Sequence, residues 1–556
     1  MIRFPQLAFR IPLSALDLRL CAFCFLLFAF GCHDNTSSRK TVFNINLDEG
    51  LTSLDPAFCR NQNTIWMDNQ LYNGLVQIDD SLRVKPAIAK SWDISPDDLQ
   101  YTFHLRNDVY FHDDPLFKDG IGRKAVASDF VYSFSRLLDP KIASSGSWIF
   151  SDKITTCNEA FKAVNDTTFR IQLKQPFPPL LTLLTSQIAS VIPHEVAEHY
   201  GKDFRNHPIG TGPFKFKYWK EGEVMVFLKN DKYWEKGKDG SPLPHLDAIR
   251  ATFIGDKQTA FMEFVTGKID FLNDIDGSYR DDILTKSGKV TQKYKGKFIL
   301  NTAPYLNTMY LGMLVDTTLP IVRDCPLKML KIRQAVNYAI DKQKMIKYLR
   351  NSMATPGDAG FVPAGMPGFD NKQVKGYSYN PEKARTLLAE AGYPNGKNLP
   401  GIVLTTTIGY RDLIEYVQGQ LEQVGIHTRI EIVQSASLRE LVAKNGVNFF
   451  YGSWIADYPD GENYLSLFYS KNKIPWGPNY TGFSNKEFDR LFEQCYHETN
   501  DQQRYALYRK MDNIIMQNAP VVILYYDKLV NLYQDNITGI SKNPLNLLVL
   551  KRVVKK

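Results

Sequence analysis

Stretches in which apolar and polar residues alternate, or in which apolar residues run together, predict β-strands along the chain. Residues 41–47 and 101–106 alternate, as expected of strands with one buried face. Residues 447–451 and 521–526 are largely apolar, which is typical of strands buried on both faces. The same patterns predict further strands at residues 169–173, 214–219, 224–228, 269–271, 309–314 and 428–433.

Apolar residues spaced three and four apart predict helices between these strands. The pattern over residues 380–392 predicts a helix with both of its boundaries. Asn380 is suited to the N-cap position, Pro381 to the first helical turn, and Gly392 to the position that ends the helix. Ser128 can likewise cap a helix that follows it. Further helices are predicted at residues 65–75, 256–267, 327–349, 411–424 and 504–517, of which 327–349 is the longest. Because strands and helices alternate, we expect α/β lobes with a ligand cleft between them.

The first 31 residues have the pattern of an export signal. Three arginines precede an apolar run over residues 20–30, which is too short to span a bilayer. The run ends in Gly31 and Cys32, and a small residue followed by a cysteine at this point resembles the signal of a bacterial lipoprotein. We therefore expect lipidation of Cys32. The alternative is a plain secretory signal with an incidental cysteine.

Composition restricts the class of protein. With 556 residues, 44% of them hydrophobic and 23% charged, the chain is globular and too long for one ordinary domain. The net charge of +8 comes from scattered basic residues, so we expect no nucleic-acid partner. After Cys32 only Cys59, Cys157, Cys325 and Cys495 remain, without a CxxC pair. A thiolate metal site is therefore not expected, and the disulfide pairing stays open.

The sequence lacks the common motifs of catalytic and cofactor sites. His194 and His199 are five positions apart, whereas a zinc protease motif places two histidines four apart on one helical face. The nucleophile elbow, the phosphate-binding loop and the dinucleotide-binding fingerprint do not occur. We therefore expect a binding protein without a cofactor or a metal, and not an enzyme.

One charged residue stands within an aromatic stretch. Asp457 follows the predicted strand at residues 447–451, lies between Trp454 and Tyr458, and precedes a break at Pro459. Loops that leave a rigid scaffold often carry binding groups, and an aspartate among aromatic rings is costly unless a cation pairs with it. The ammonium group of a ligand can be that cation. From these residues alone, the commoner role of an Asx turn or a cap is favoured.

Many short motifs occur in a fixed order over nearly all of the chain after residue 40. The most specific are PAIAKSW at residues 86–92 and YTFHLR at residues 101–106. The others are at residues 53–56, 71–75, 128–133, 210–214, 230–234, 332–341, 384–393 and 454–458. In this order they resemble the peptide-binding, family 5 solute-binding lipoproteins of bacterial ABC importers, and the oligopeptide-binding type in particular.

The resemblance implies an α/β protein with the type II periplasmic-binding-protein fold, in which two α/β lobes flank a ligand cleft and a smaller third domain is inserted. One lobe is assembled from three chain segments, and the other closes over the ligand by hinge motion. The implied boundaries are residues 1–31 for the lipoprotein signal, 32–40 for a linker, 41–78, 206–312 and 521–556 for lobe I, 79–205 for the inserted domain II, and 313–520 for the closing lobe III.

The resemblance also implies a ligand site. It assigns the α-ammonium group of a peptide to Asp457, which replaces the turn interpretation. Along the ligand it places Trp454, Tyr458, Tyr451, Tyr310, Met309 and Asn273.

Two features of the family are missing. Tyr451 stands where well-known members often carry Arg, and residues 435–437 hold no counterpart of an upstream tryptophan of the side-chain pocket. The carboxylate of a peptide therefore needs another cation. The candidates are Arg411, Arg350 and Lys444.

The resulting hypothesis is an exported, lipid-anchored and monomeric receptor in the periplasm. It captures short peptides and delivers them by hinge closure to the permease subunits of an ABC transporter in the inner membrane. An alternative within the same fold is a receptor for a non-standard ligand, such as a muropeptide, a modified tripeptide, or a metal or haem complex. The alternative from another class is an exported peptidase or chaperone that uses the same cleft.

Overall fold

A mixed β-sheet of eleven strands organises the part of the chain that this computed structural model describes, residues 40–556. The predicted lipoprotein signal and Cys32 lie outside the described residues. Within residues 40–556 the strands are β1 (Val42–Asn46), β2 (Val76–Ile78), β3 (Val84–Pro86), β4 (Ala89–Ile94), β5 (Gln100–Leu105), β6 (Phe161–Asn165), β7 (Thr168–Gln172), β8 (Phe214–Lys220), β9 (Val224–Lys229), β10 (Ala248–Thr252), β11 (Phe271–Asn273), β12 (Ile299–Met313), β13 (Ala354–Pro356), β14 (Ile402–Thr406), β15 (Thr428–Ile432), β16 (Phe449–Ile455), β17 (Val521–Tyr533), β18 (Ile537–Thr538) and β19 (Val554–Lys555).

Helices alternate with these strands along the chain. In the same described range the α-helices are α1 (Gln62–Leu71), α2 (Ala127–Leu138), α3 (Cys157–Ala160), α4 (Leu180–Leu183), α5 (His194–Tyr200), α6 (Lys257–Val265), α7 (Arg280–Ile283), α8 (Pro320–Arg323), α9 (Leu330–Tyr338), α10 (Lys342–Leu349), α11 (Pro381–Glu390), α12 (Arg411–Glu422), α13 (Ser435–Ala443), α14 (Glu462–Leu465), α15 (Lys486–Cys495) and α16 (Asp501–Asn518).

The large sheet has the strand order β15-β14-β16-β12-β17-β11-β1-β10-β9-β8, with β13 beside β17. β1 pairs in parallel with β10 and β11, whereas β12 is antiparallel to both β16 and β17. The predicted α/β class is therefore confirmed, with a sheet of mixed direction.

A second sheet forms a small domain within the predicted inserted segment 79–205. It is antiparallel, with the order β4-β5-β7-β6. Its core is a cluster of phenylalanine rings whose centroids lie 4.9–6.4 Å apart, namely Phe103, Phe130, Phe134, Phe150, Phe161 and Phe169. The short 3-10 turn Ser147–Ile149 directly precedes Phe150, so this core fixes the position of Trp148.

Two long strands, β12 and β17, carry the chain between the lobes. Residues 299–304 of β12 pair with the part of β17 that borders β11, and residues 308–312 pair with the other part, beside β16. A register shift between Pro304 and Thr308 separates the two halves. From Leu306 onward the β12 side chains pack in cores shared with β16. This irregularity in β12 lies a few residues before the predicted lobe boundary at 312, and the boundaries at 312 and 520 stay predictions.

Three predicted helices differ from the structure. The pattern at residues 327–349 is two helices, α9 and α10, because Asp341 interrupts it and caps α10: the Lys344 N–H donates to Asp341 Oδ1 at 2.9 Å. α16 is the longest helix of the described residues. Helix α2 begins after Val126, so Ser128 is not its cap. Helix α1 ends at Leu71, short of the predicted residue 75.

The helix predicted at residues 380–392 is confirmed with both of its boundaries. The Lys383 N–H donates to the Asn380 side chain at 2.9 Å, and Pro381 occupies the first turn. Gly392 follows the helix with φ +93°. This is the left-handed conformation that glycine adopts without strain.

The described residues contain neither a disulfide nor a membrane-crossing helix. Cys59, Cys157, Cys325 and Cys495 all have free thiols, and Cys59, Cys325 and Cys495 are buried. No helix in residues 40–556 combines the length and the apolar character that crossing a bilayer requires.

A buried carboxyl ties the longest helix to the loop that follows β13. Asp512 of α16 accepts hydrogen bonds from the Phe361 N–H at 2.6 Å and the Val362 N–H at 3.2 Å. Gly360 allows this approach, since a Cβ there would lie 1.9 Å from Asp512 Oδ2. The Tyr526 hydroxyl donates to the Gly360 carbonyl at 2.5 Å, so the loop is also fixed to β17.

We expect Asp512 to make stability depend on pH. Burial raises the pKa of Asp512 to about 7. Between about pH 4 and about pH 7 the Asp512 carboxyl is therefore protonated in the folded state but ionised in the unfolded state. The folded protein loses stability as the pH rises through this window. Asp512→Asn stays neutral. Between about pH 4.5 and about pH 7.5 the wild type should therefore lose on the order of 1–4 kcal/mol of unfolding free energy relative to the variant. Denaturant unfolding of both proteins measures this difference.

The matched control is Asp535→Asn, which changes an exposed aspartate. Its unfolding free energy should differ from that of the wild type by the same amount at both pH values. A difference between wild type and Asp512→Asn that is independent of pH would contradict the role given to Asp512.

Candidate ligand-binding site

A cavity of about 850 Å³, hereafter the large cavity, lies between the small domain and the lobe that contains β16. One wall comes from residues 148–177 and the other from residues 454–497. Its lining includes seven aromatic residues, Trp148, Phe177, Trp454, Tyr458, Tyr469, Trp476 and Tyr496. The rest of the lining is largely polar. A concave site that combines aromatic rings with polar side chains suits a small ligand, so the large cavity is the candidate binding site.

Asp457 enters the large cavity two residues after β16 ends. The Ala456 N–H donates to the Leu306 carbonyl of β12 at 2.9 Å. The Tyr464 hydroxyl donates to the same carbonyl at 2.6 Å. Since hydrogen bonding to β12 continues as far as Ala456, the sheet fixes the position from which the Asp457 side chain extends.

The Asp457 carboxylate has a hydrogen-bond donor but no cation. Asn463 Nδ2 donates to Asp457 Oδ2 at 3.1 Å, while Asn463 Oδ1 accepts from the Asp457 N–H at 3.3 Å and from Trp454 Nε1 at 2.9 Å. Within residues 40–556, no lysine, arginine or histidine pairs with Asp457. Asp457 is exposed at the cavity, but the protein atoms around its carboxyl group partly desolvate it. This burial raises the pKa of the Asp457 carboxyl, and the Asn463 hydrogen bond partly offsets the rise.

The other carboxylates that line the large cavity already have partners. These are Asp152 with Lys153 Nζ at 2.6 Å, Glu493 with Lys471 Nζ at 2.8 Å, and Glu462 with the hydroxyls of Tyr458 and Tyr496. Glu462 is buried, so among the described residues of this lining Asp457 is the exposed carboxylate without a lysine partner.

Tyr458 joins the two walls of the large cavity. Its ring stacks on Trp148 with 6.3 Å between centroids and 21° between planes, and it meets Phe177 edge-on at 6.5 Å. Its hydroxyl donates to the buried Glu462, and burial raises the pKa of Tyr458. Because only 7% of Tyr458 is exposed, its main contact is with the small domain.

A second cavity of about 190 Å³, hereafter the small cavity, lies where β17 passes β11. Its lining includes Asn273, Arg350 and Asp527. Arg350 Nη2 is 3.9 Å from Asp527 Oδ1, and the guanidinium lies 5.4 Å from the ring centroid of Tyr525. Burial raises the pKa of Asp527, and the charge of Arg350 partly offsets the rise. The structure therefore brings Asn273 and Arg350 together, but in a different cavity from Asp457.

Strand β12 separates the two cavities. Asp457 continues β16 on one side of β12, and Asp527 belongs to β17 on the other side. Asn307 of β12 lies opposite Ile455, and its Nδ2 donates to Asp527 Oδ2 at 3.4 Å. If the chain continues the line of β16 as far as Asp457, two strand spacings, about 10 Å, separate its backbone from that of Asp527.

Met309, Tyr310 and Tyr451 depart from the predicted ligand path. All three are buried, at 2%, 3% and 6% exposure, and none lines either cavity. The Tyr451 ring stacks on Tyr410 at 4.1 Å and its hydroxyl donates to Met309 Sδ at 3.8 Å, whereas Tyr310 packs edge-on against Phe361 at 5.1 Å. The physical reason is that β12 and β16 are central strands with hydrophobic cores on both faces.

Two of the three predicted carboxylate partners lie on exposed surfaces. Arg411 pairs with Glu415 at 2.7 Å and Lys444 pairs with Glu440 at 2.6 Å, in each case four residues apart. Neither Arg411 nor Lys444 lines the large or the small cavity. Exposed ion pairs of this kind contribute little to stability. Of the three predicted carboxylate partners, Arg350 is therefore the one that borders one of these two cavities.

A family model for bacterial extracellular solute-binding proteins, family 5 (middle region), matches residues 83–476, which is well over half of the chain. The chain belongs to this family.

Individual relatives agree with this assignment. The family 5 protein described here is 28% identical over 501 residues to the glutathione-binding protein GsiB of Shigella flexneri, with 89% of this chain and 91% of GsiB covered. The structure of HbpA2 from Haemophilus parasuis matches with a TM-score of 0.80 at 24% identity, covering 93% and 100% of the two chains. DppA from Helicobacter pylori, in complex with the peptide STSA, matches with a TM-score of 0.72 at 26% identity, covering 92% and 98%. The predicted family and its type II periplasmic-binding-protein fold are confirmed.

Three residues of the large cavity were not predicted from the sequence. Asn463 orients Asp457, Trp148 stacks on Tyr458, and Trp476 lies exposed at the edge of the cavity. The only signal for Asn463 is its position, six residues after Asp457 and beyond a Pro-Gly break that turns the chain back. Trp148 comes from the small domain, about three hundred residues away, and no local pattern links it to Asp457.

A cluster of Asp129, His194 and Glu195 has groups close enough to bind a metal ion. Instead, the guanidinium of Arg123 lies between the two carboxylates, with Nη2 2.7 Å from Asp129 Oδ1 and Nε 2.5 Å from Glu195 Oε1. The cluster is therefore an ion-pair network.

Proposed function

We propose that this family 5 protein binds short peptides and that Asp457 holds their free α-ammonium group. The observation that carries the proposal is the Asp457 carboxylate, which faces an aromatic cavity, is oriented by Asn463 and has no cation among the described residues. An ammonium group would supply the missing charge through charge-assisted hydrogen bonds. Exclusion of water by the surrounding rings would strengthen the attraction.

Arg350 in the small cavity is the proposed partner of the peptide carboxylate. Its 3.9 Å ion pair with Asp527 is longer than a hydrogen bond, so its N–H groups remain able to bind a carboxylate in bidentate fashion. An extended chain spans about 3.3–3.6 Å per residue, and the two aspartate backbones lie about 10 Å apart. Because Arg350 lies beside Asp527, a peptide of about three residues would reach from Asp457 to Arg350, with Trp454 beside the ammonium end and Asn273 beside the carboxylate end.

The relatives support this ligand class. DppA from Helicobacter pylori is in complex with the peptide STSA, and GsiB is named for its binding of glutathione. A modified tripeptide is therefore the second candidate ligand. It would offer the same ammonium and carboxylate groups to Asp457 and Arg350.

In the proposed mechanism, the lobes close over the peptide and no bond of the ligand is broken. β12 and β17 are the strands that continue from one lobe into the other, so bending near residues 304–308 and 527 would move the walls of the cleft. Hinge closure of this kind sequesters a ligand. The closed monomer would then deliver the peptide to the permease subunits of an ABC transporter in the inner membrane.

The proposed location is the periplasm, with the protein anchored to the membrane through a lipid on Cys32. Support comes from the apolar run at residues 20–30 and from Gly31, which directly precedes Cys32. A lipid anchor would keep the receptor close to its permease.

Asp457→Asn should weaken binding of a peptide with a free amino group by about 2–5 kcal/mol, because the desolvated ammonium loses its counter-charge. Isothermal titration of both proteins with Ala-Ala-Ala and with its N-acetylated form measures this loss. The acetylated peptide should bind poorly and equally to both. Asp152→Asn is the matched control, because Asp152 lines the same cavity but pairs with Lys153. Equal affinity of the wild type for the free and the acetylated peptide would remove Asp457 from this role.

Arg350→Lys should weaken binding of Ala-Ala-Ala by about 1–3 kcal/mol, since an ammonium cannot form the bidentate pair. The amide Ala-Ala-Ala-NH₂ should bind both proteins equally, because it lacks the carboxylate. Titration with the two peptides gives the comparison, and Arg411→Lys is the control on an exposed arginine. A similar loss for the amide would show that Arg350 acts on the fold and does not contact the carboxylate.

Cys32→Ala should release the protein from the membrane fraction, because the thiol that carries the lipid is removed. The measurement is the distribution of the full chain between membrane and soluble fractions of cells that express the wild type or the variant. Cys59→Ala serves as the control, since Cys59 is buried in the fold. A wild type found entirely in the soluble fraction would contradict the lipid anchor.

A further inference from the structure

Trp476 is an exposed tryptophan at a ligand cavity. Its exposed fraction is 85%, the highest among the large hydrophobic residues of the described chain. It nevertheless lines the large cavity together with Asp457. Leaving an indole ring in water forgoes the stabilisation that burial of so much apolar surface would bring. The ring is therefore available to be covered by a ligand.

The backbone that carries Trp476 is held in place. The Trp476 N–H donates to the Lys473 carbonyl at 2.8 Å, and the Asn479 N–H donates to the Asn472 carbonyl at 2.9 Å, which closes the loop. The buried Asn479 side chain donates to the Tyr469 carbonyl at 3.0 Å, which fixes the base of the loop. Because the loop is already ordered, covering the indole would cost little backbone entropy.

The position of Asp457 determines which part of a peptide shares the cavity with Trp476. The side chain of the first residue begins two bonds from the ammonium nitrogen, so it must lie in the large cavity when the ammonium is at Asp457. The rest of the peptide extends past β12 toward Arg350 in the small cavity. The first side chain then lies in a cavity whose lining includes seven aromatic residues, while Asp152 and Glu493 are paired with lysines.

We propose that Trp476 selects the first side chain of the bound peptide and favours a large apolar or aromatic one. This inference rests on the proposed function, because it takes the ammonium group to be at Asp457. On closure the indole would cover the first side chain and remove both surfaces from water. A ring on the ligand would gain a further contribution from stacking.

Isothermal titration with three peptides, Phe-Ala-Ala, Ala-Ala-Phe and Ala-Ala-Ala, tests the inference. The wild type should bind Phe-Ala-Ala at least about tenfold more tightly than Ala-Ala-Ala. In Trp476→Ala this preference should fall to about twofold or less, while Trp476→Phe should keep most of it. The affinity for Ala-Ala-Ala should be the same in all three proteins, and so should the unfolding temperature, because the ring is exposed when no ligand is bound.

Ile408→Ala is the control for removing an exposed apolar side chain, since Ile408 is 69% exposed and lines neither cavity. It should keep the wild-type preference. The assignment of Trp476 to the first residue would be overturned if Trp476→Ala lost affinity for Phe-Ala-Ala and for Ala-Ala-Phe equally. It would also be overturned if the variant lost affinity for neither peptide. A wild type that binds Ala-Ala-Ala but does not prefer Phe-Ala-Ala would overturn this inference alone. A wild type that binds none of the three peptides would overturn the proposed function as well.

Discussion

The antiparallel pairing of β12 with β17 is the constraint on which both ends of the binding site depend. These two strands pair along most of their length, and a register shift between Pro304 and Thr308 interrupts the pairing. β16 pairs along the second half of β12 and ends two residues before Asp457. Asp527 lies in β17 itself, beside Arg350. The separation of Asp457 from Asp527, beside which Arg350 lies, thus follows from strand spacing, and strand spacing varies little.

Asp457, which follows β16, differs in its electrostatic environment from the other acidic residues of the large cavity. Asp152 and Glu493 are paired with lysines and Glu462 accepts hydrogen bonds from two tyrosine hydroxyls. Asp457 instead receives one amide hydrogen bond and is exposed at the cavity. Burial raises the pKa of Asp457, which means that its charged form is disfavoured until a cation arrives. A site of this kind recognises any ligand with an ammonium group and leaves discrimination to the aromatic walls. It suits a receptor that captures a class of peptides.

Local patterns predicted the elements whose signals lie within a short stretch of sequence. The Asn380, Pro381 and Gly392 boundaries are an example, because each acts on its own backbone. The length of β12 was not predicted, since residues 299–308 include Pro304 and several polar residues and form a strand only through pairing with β17. The break at Asp341 was missed because the apolar spacing continues across it.

In the candidate site, too, features with a local sequence signal could be predicted, whereas features that depend on three-dimensional packing could not. The aromatic stretch around Asp457 and its family resemblance located the carboxylate, but Met309, Tyr310 and Tyr451 were placed on the ligand path although the cores on both faces of the sheet bury them. Asn463 and Trp148 were missed because their relation to Asp457 exists only in three dimensions. Arg350 could not be separated from Arg411 and Lys444 until the structure placed it at a cavity and the others in exposed ion pairs.

If this family 5 protein carries intact short peptides, native mass spectrometry of the protein, purified gently from its expression host, should detect them. We expect a set of added masses that correspond to short peptides, and we expect those peptides to be released unchanged on denaturation. A single added mass that corresponds to no peptide would contradict this expectation, and so would peptides recovered only as cleavage products.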